Sequence, residues 1–331
     1  MADTNKQSCC EKFKTAIGGQ ALIEGIMMRG PDKDAVVVRT GDEMRIEVQP
    51  RKIPAENSPL RWPLIRGAVN FIDAQITGVK ALMRSAELAP DGFEEAEEPS
   101  KFEKWIEEKV GSEKVQELVI GFSVVLGLGM SIGLFFLLPM IICSFMDQGL
   151  VSTLVEGLIR ICIFVAYILL VSRMEEMKRV FAYHGAEHKT IRCYEAGLPL
   201  TVDNVRNQTR LHPRCGTSFL LVVMILSILV FSVASSVLTA AVPALKVLQG
   251  SVWYRVLMIG FKLALLPLVV AIAYEINRWV GRHDNWFTKM LTFPGMWFQN
   301  FTTNEPDDSM IEVAITALEA VLPEEAGADR W

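Results

Sequence analysis

The sequence predicts an α-helical integral membrane protein with four transmembrane helices and a small N-terminal α+β cytosolic region. Three observations predict it. Residues 118–146 and 215–245 contain no charged side chain, and each run exceeds the roughly 20 residues that cross a bilayer. Two further apolar runs are interrupted only by Glu156 and Arg160 (150–172) and by Lys262 (256–274). Before all of these, residues 17–50 carry short β-branched stretches and turn signals instead of helical periodicity.

In chain order, residues 1–16 read as a flexible polar tail without an apolar signal core. Residues 17–86 read as a small cytosolic α+β domain. Ala35 to Arg39 is a β-branched run, Thr40-Gly41-Asp42 a turn, and Met44 to Val48 a returning strand. Residues 62–86 are an amphipathic helix, with Ile65, Ala68, Ile72, Ile76, Val79 and Met83 at helical spacing. That stripe is expected to pack on the strands, the membrane interface being its alternative berth. An acidic linker (87–100) and a charged juxtamembrane helix (101–117) follow. The membrane domain covers 118–275, with spans near 118–142, 150–172, 218–243 and 256–275. Helices are the expected spanning form because backbone polar groups in lipid must pair locally. Gly129 and Gly133 offer a small-xxx-small contact. The C-terminal segment, 276–331, reads as irregular and aromatic-rich over 282–305. A short amphipathic helix then begins near Asp307, and a frayed acidic tail ends the chain.

Lysine and arginine set the expected orientation. The 173–217 loop holds eight of them, the 143–149 link none and the 244–255 link two. Lys101, Lys104, Lys109 and Lys114 precede the first span, and Arg278, Arg282 and Lys289 surround the exit of the fourth. Both termini and the 173–217 loop are therefore expected in the cytosol of a cytoplasmic-membrane protein whose partner is the lipid bilayer. A net charge of −5 argues against nucleic acid as a partner. Six scattered cysteines form no disulfide framework and suit a reducing compartment. Protein partners are not legible, and a homo-oligomer stays open.

The 173–217 loop carries three of the four histidines. His184-Gly-Ala-Glu187-His188 places two imidazoles one helical turn apart on one face, a spacing that suits two ligands of one ion. Glu187 borders that face and could orient a ligand, bind the ion, or act as general base toward water. H-x-x-E-H is also the pattern of inverted-zincin metallopeptidases; the geometry carries over, the activity does not. His212-Pro-Arg-Cys215 adds two donors at the start of the third span, where the helix dipole favours a thiolate. His184, His188, His212 and Cys215 together suit a divalent metal, with zinc the expected ion. The alternative is two histidines that are merely polar neighbours at an interface. Four bound donors would make a closed structural site, and three would leave a position for catalysis.

Glu156, Arg160 and Lys262 are intramembrane charges, which mark function by default; Glu156 and Arg160, at i and i+4, can equally form a structural pair. In the N-terminal region Glu24 and Arg29 are a further candidate polar site, Glu24 as ligand or base and Arg29 as an anion contact. The more ordinary reading is buried polar contacts. His283 is a lesser candidate ligand.

Four strings carry a family resemblance: Gly18-Gly-Gln-Ala-x-Ile-Glu-Gly-x-Met-Met-Arg-Gly30, Pro63-Leu-Ile-Arg-Gly67, His184-Gly-Ala-Glu-His-Lys-Thr190, and Leu211-His-Pro-Arg-Cys-Gly-Thr-Ser218. With Thr302-Thr-Asn-Glu-Pro-Asp-Asp308 they run across residues 17–322. The chain resembles the YqhQ family of bacterial membrane proteins, whose function is unknown and which is described as predicted metal-dependent enzymes. The resemblance implies a metal site and leaves substrate and reaction open. The expected function is a cytosol-facing metal site, catalytic in a hydrolase with Glu187 as base, or structural in a membrane scaffold or assembly factor. Transport is a third reading that rests on the intramembrane charges.

Overall fold

The computed structural model describes residues 13–55, 57–89, 122, 125–143, 146, 150–283, 285–325 and 327–330. Residues 90–117, which include most of the expected linker (87–100) and the whole expected juxtamembrane helix (101–117), lie outside them. The chain forms two compact units, one from residues up to 92, 169–222 and 270 onward, the other from 93–168 and 223–269.

The first unit contains a four-stranded antiparallel meander in sequence order: β1 (Gly18–Leu22), β2 (Gly25–Arg29), β3 (Lys33–Thr40) and β4 (Glu43–Pro50). The expected hairpin is its β3–β4 half, in register from Thr40 opposite Glu43 to Lys33 opposite Pro50. Gly41 opens that turn at φ +61°, a conformation glycine adopts without a Cβ penalty. The β1–β2 turn instead places Glu24 at φ 49°.

Both faces of the sheet are covered. Ile26, Met28, Ala35 and Val37 pack with Tyr183 and Ala186 of α4 (Glu175–Glu195) and with Val313, Ala317 and Leu318 of α10 (Asp308–Val321). Full burial of each such aliphatic side chain contributes roughly 1.5–3 kcal/mol. Leu22, Met27 and Val38 on the other face meet Ala81 and Leu88 of α1 (Ile65–Leu88).

The face of α1 that packs is not the expected one. Gly67, Gly78, Ala81, Ser85 and Leu88 are buried, whereas Ile65, Ile72, Ile76, Val79 and Met83 are exposed. Close approach selects the small residues. A Cβ at Gly67 would lie 2.9 Å from Cα of Ala271, and one at Gly78 would overlap the Gln20 amide. The large apolar side chains are left facing outward.

The remaining helices of this unit carry their own start signals. α5 (Val202–Arg206) is capped by Thr201 and α10 by Asp307, whose carboxylate accepts from Met310 N–H at 2.9 Å. Residues 286–302, expected to be irregular, form α9 (Trp286–Thr302) with Pro294 inside it. A reciprocal capping box between Asn285 and Thr288 starts that helix. Threonine at the third position is a weaker sequence signal than the usual Glu or Gln. The C-terminal tail, expected to fray, docks: Asp329 is buried and accepts from Thr15 Oγ1 at 2.5 Å and from Ala16 N–H at 2.6 Å.

Among the described residues four helices are long and apolar enough to cross a membrane: α2 (Val125–Ile142), α3 (Leu150–Val171), α6 (Gly216–Ala241) and α8 (Val252–Arg282). Short α7 (Ala244–Leu248) lies between the last two. α8 outruns the expected 256–275 at both ends. Within the second unit, Gly157 of α3 provides the close helix contact, because a Cβ there would meet Ile228 at 2.5 Å. Gly129 and Gly133 face open space instead. A widened π turn at Gly133–Leu137 interrupts α2.

Gly185, midway along α4, lies directly beneath the Asn304 carbonyl, and a Cβ would overlap that oxygen. Gly185→Ala is expected to destabilise the first unit by about 1–3 kcal/mol or more, as overpacking against backbone does. A lowered thermal midpoint of the purified protein, with an unchanged midpoint in Gly129→Ala, is the measurement.

Candidate metal centre

α4 begins after a break at Met174, which has extended backbone angles, and carries His184, Glu187 and His188. The two imidazole centroids are 4.4 Å apart. Cys215 sits immediately before α6, and its Sγ lies 3.2 Å from His184 Nε2. One donor atom from each of His184, His188 and Cys215 falls within 4.8 Å of the others. Tetrahedral zinc with N and S ligands needs donors roughly 3.3–3.8 Å apart, as its bond lengths near 2.0–2.3 Å imply. Side-chain adjustment of about an ångström closes the set.

Main-chain carbonyls fix the ring orientations. His184 Nδ1 lies 2.8 Å from Thr302 O, and His188 Nδ1 lies 2.6 Å from Arg210 O. Carbonyl oxygens only accept, so each Nδ1 carries a proton and each Nε2 is the nitrogen turned away from the main chain toward the cluster. His188 Nε2 is buried without a hydrogen-bond partner. A histidine that donates one ring N–H to a carbonyl and turns the other nitrogen inward is the usual second-shell arrangement of a metal ligand.

The electrostatics agree. Burial opposes a charge on His184, but the neighbouring Cys215 sulfur outweighs it and raises the ring to about 9. Burial likewise pushes the Cys215 thiol up, and His188 and His184 pull it well below the ordinary thiol range. The metal-free centre therefore favours a thiolate, the form that binds soft divalent ions. Glu187 is raised chiefly by its burial, against the pull of both histidines. Gly19 of β1 gives Glu187 a backbone N–H, and a Cβ there would meet the Glu187 carboxyl carbon at 3.0 Å. Gly19, the second of the N-terminal glycine pair, thus serves close approach to the site, whereas Gly18 faces open space.

His212 borders the cluster, its ring centroid 5.6 Å from that of His188. Its backbone N–H donates to Gln299 Oε1 at 2.7 Å, and its ring Nε2 lies 3.4 Å from Glu195 Oε2. Burial, with Arg214 nearby, holds its ring well below the usual histidine range. The donors that converge closely enough for one ion are those of His184, His188 and Cys215, with His212 beside them.

The other candidates sit apart. Glu24 accepts from Arg179 at 2.6 and 2.5 Å and from the Tyr183 hydroxyl at 3.2 Å. Arg29 pairs with Asp34 and Asp73. Both make structural ion pairs. His283 is exposed and stacks on Trp279. Glu156, Arg160 and Lys262 do meet, in the second unit.

Sequence reasoning missed the residues that hold the centre in shape. Residues 302–308 strap across α4. Beyond the Thr302 carbonyl, Asn304 N–H donates to Phe181 O at 2.8 Å, Arg210 donates to Thr303 O, and Lys189 pairs with Glu305. Gln299 and Glu195 are fully buried and anchor the His212 and Arg214 strand. These contacts are long-range, and only the Thr302–Asp308 string gave a hint of them.

The fold and the site define a class: a protein with four membrane-length apolar helices, a small antiparallel sheet and a His/Cys cluster suited to a metal. The family described as Protein of unknown function (DUF1385) matches residues 62–324. The "Uncharacterized protein YqhQ" of Bacillus subtilis (strain 168) is 33% identical over 328 residues, covering 95% of each chain. The chain belongs to this YqhQ family of unknown function. No solved structure matches it.

Titration of the purified protein with Co(II) is expected to give thiolate-to-metal charge-transfer absorption. The band should vanish in Cys215→Ser, weaken strongly in His184→Ala, and survive in His212→Asn. A band that depends equally on His212 would add it to the ligand set.

Proposed function

We propose that this protein is a zinc-dependent hydrolase of the cytoplasmic membrane, with its site on the cytosolic side. The observation that carries the reading is the shared aim of the His184 and His188 Nε2 atoms at Cys215, the His188 nitrogen buried and otherwise unpartnered. Catalytic zinc sites keep three protein ligands and an open fourth position. The metal would supply Lewis acidity and bring the pKa of water toward about 7. Glu187 follows the first ligand by three residues, buried beside it, with the Gly19 N–H fixing its carboxylate. It is suited to take a proton from the attacking water and return it to the leaving group. Thr302 and Arg210 hold the histidine tautomers, and residues 302–308 keep water away from the back of the site.

Orientation follows the lysine and arginine distribution. The eight basic residues of 173–217, against none in 143–149, favour a cytosolic site and cytosolic termini. A second reading is favoured by the burial of His188 and Cys215, 1% and 8% exposed. In it the metal is structural, tying α4 to the start of α6 in a membrane scaffold.

Glu187→Gln separates the two. As a general base, Glu187 is expected to be needed for function alone: metal content persists while complementation of a deletion strain falls with a rate loss of roughly 10²–10⁴-fold. Weaker metal binding by roughly 10–100-fold, with function tracking metal content, would assign it to ligand orientation. Full complementation at normal metal content would remove the catalytic reading.

For topology, a reporter active only outside the cytosol is expected to be silent when fused after Trp331. A reporter active only inside should be active there. The reverse result would place the site on the outer face.

A further inference from the structure

The second unit contains a cavity of about 710 Å³, within the size range of small-molecule sites. Hydroxyls dominate its polar lining: Ser152, Thr153, Ser235, Ser236, Thr239 and Tyr254. Gln249, Gly250 and Arg255, at the ends of α7 and α8, line its mouth. Glu156 and Lys262 line its floor. Lys262 is ten residues into α8, which sets the floor about 15 Å from that helix end at 1.5 Å per residue.

The floor carries an unbalanced charge. Lys262 Nζ donates to both carboxylate oxygens of Glu156, at 2.7 and 2.9 Å. Arg160 Nη2 donates to Glu156 Oε1 at 2.8 Å, and its Nε donates to the Phe135 carbonyl in the π turn of α2 at 2.7 Å. All three ionic residues are buried. Two formal cations on one carboxylate leave one positive charge uncompensated, a costly state away from water. Both Glu156 oxygens are already occupied by cations, so the site is poorly suited to a cation. Its surplus is in donors: an ammonium has three N–H groups and no acceptor, and Ser235 Oγ is buried without a partner. Among the described lining residues Glu156 is the sole carboxylate.

We propose that this cavity binds a phosphate ester, the anion seated toward Lys262 and the ester group toward the Arg255 rim. A phosphate offers oxygens to the Lys262 ammonium and to the unpartnered Ser235 hydroxyl, and the cavity is larger than a bare ion requires. Two sources share that chemistry, a soluble phosphate ester and the headgroup of an anionic phospholipid. The proposal stands independently of the metal centre.

The test is thermal unfolding of the full-length protein in detergent, titrated with inorganic phosphate, glycerol phosphate and dihexanoyl phosphatidylglycerol. Saturable stabilisation by at least one is expected; a response to glycerol phosphate assigns a soluble ligand, and a response to phosphatidylglycerol alone a lipid. Lys262→Met leaves a neutral Glu156–Arg160 pair and is expected to fold while weakening binding roughly thirtyfold or more, the lower end of what losing a buried charge partner costs. Glu156→Gln, which raises the surplus charge, is expected to tighten it. Arg255→Gln, at the rim, should weaken binding if Lys262→Met cannot be purified. No saturable shift with any of the three compounds overturns the proposal. So does a shift left unchanged by Lys262→Met, or by Arg255→Gln in its place.

Discussion

The Nδ1–H groups of His184 and His188 donate to carbonyls that come from two remote segments, Thr302 and Arg210. Nearly everything distinctive about the first unit serves these two hydrogen bonds. The Thr302 carbonyl reaches α4 only because Gly185 lets the 302–305 segment lie against the helix backbone. That segment is held by Asn304 on Phe181, by Arg210 on Thr303 and by the Lys189–Glu305 pair. Arg210 acts twice, its carbonyl orienting His188 and its guanidinium clamping the strap. Without these contacts the imidazoles could rotate or change tautomer, and the three donors would not converge.

The sheet has a matching role. β1 and β2 are sandwiched between α1 and the α4–α10 pair, so the edge of β1 comes to lie beside Glu187. The glycine at 19 gives a path for the backbone where a side chain would strike the carboxyl group. The N-terminal strands thereby supply one wall of a site whose ligands lie more than 160 residues later in the chain. α1 covers the opposite sheet face with small residues and also meets α8 through Arg66–Glu275 and Asn70–Tyr274. Its large apolar side chains remain outside, against the usual burial logic of an amphipathic helix.

In the second unit the polar groups are fewer and each one matters more. Glu156 pairs with both Arg160 and Lys262, and Arg160 also donates to the Phe135 carbonyl in the π turn of α2. The residue four positions on from Phe135 is Pro139, which has no N–H to occupy that carbonyl, so Arg160 finds an acceptor there. Such a cluster is costly to build in apolar surroundings, and the cavity above it gives that cost a purpose.

Local chemistry made much of this protein legible in its sequence. Two uncharged runs and two interrupted only by Glu156, Arg160 and Lys262 announced the four long helices, because backbone groups in an apolar medium must bond within their own segment. The i, i+4 spacing of His184 and His188 placed two ligands on one helical face, and Cys215 was legible as a thiol at a helix start. The β3–β4 hairpin followed from alternation and Gly41. Tertiary structure decided the rest, where the choice depended on what came to lie opposite. His212 had the right donor chemistry, but its ring Nε2 lies beside Glu195 and its backbone is held by Gln299, so it borders the three converging donors. α1 buried its glycines rather than its isoleucines because the partners were backbones at close range. The irregular-looking 286–302 became a helix through an unusual capping box, and the acidic tail was fixed by Thr15. Spacing along a chain reports which side chains share a face; it carries no information on which carbonyl, carboxylate or backbone will meet that face from a hundred residues away.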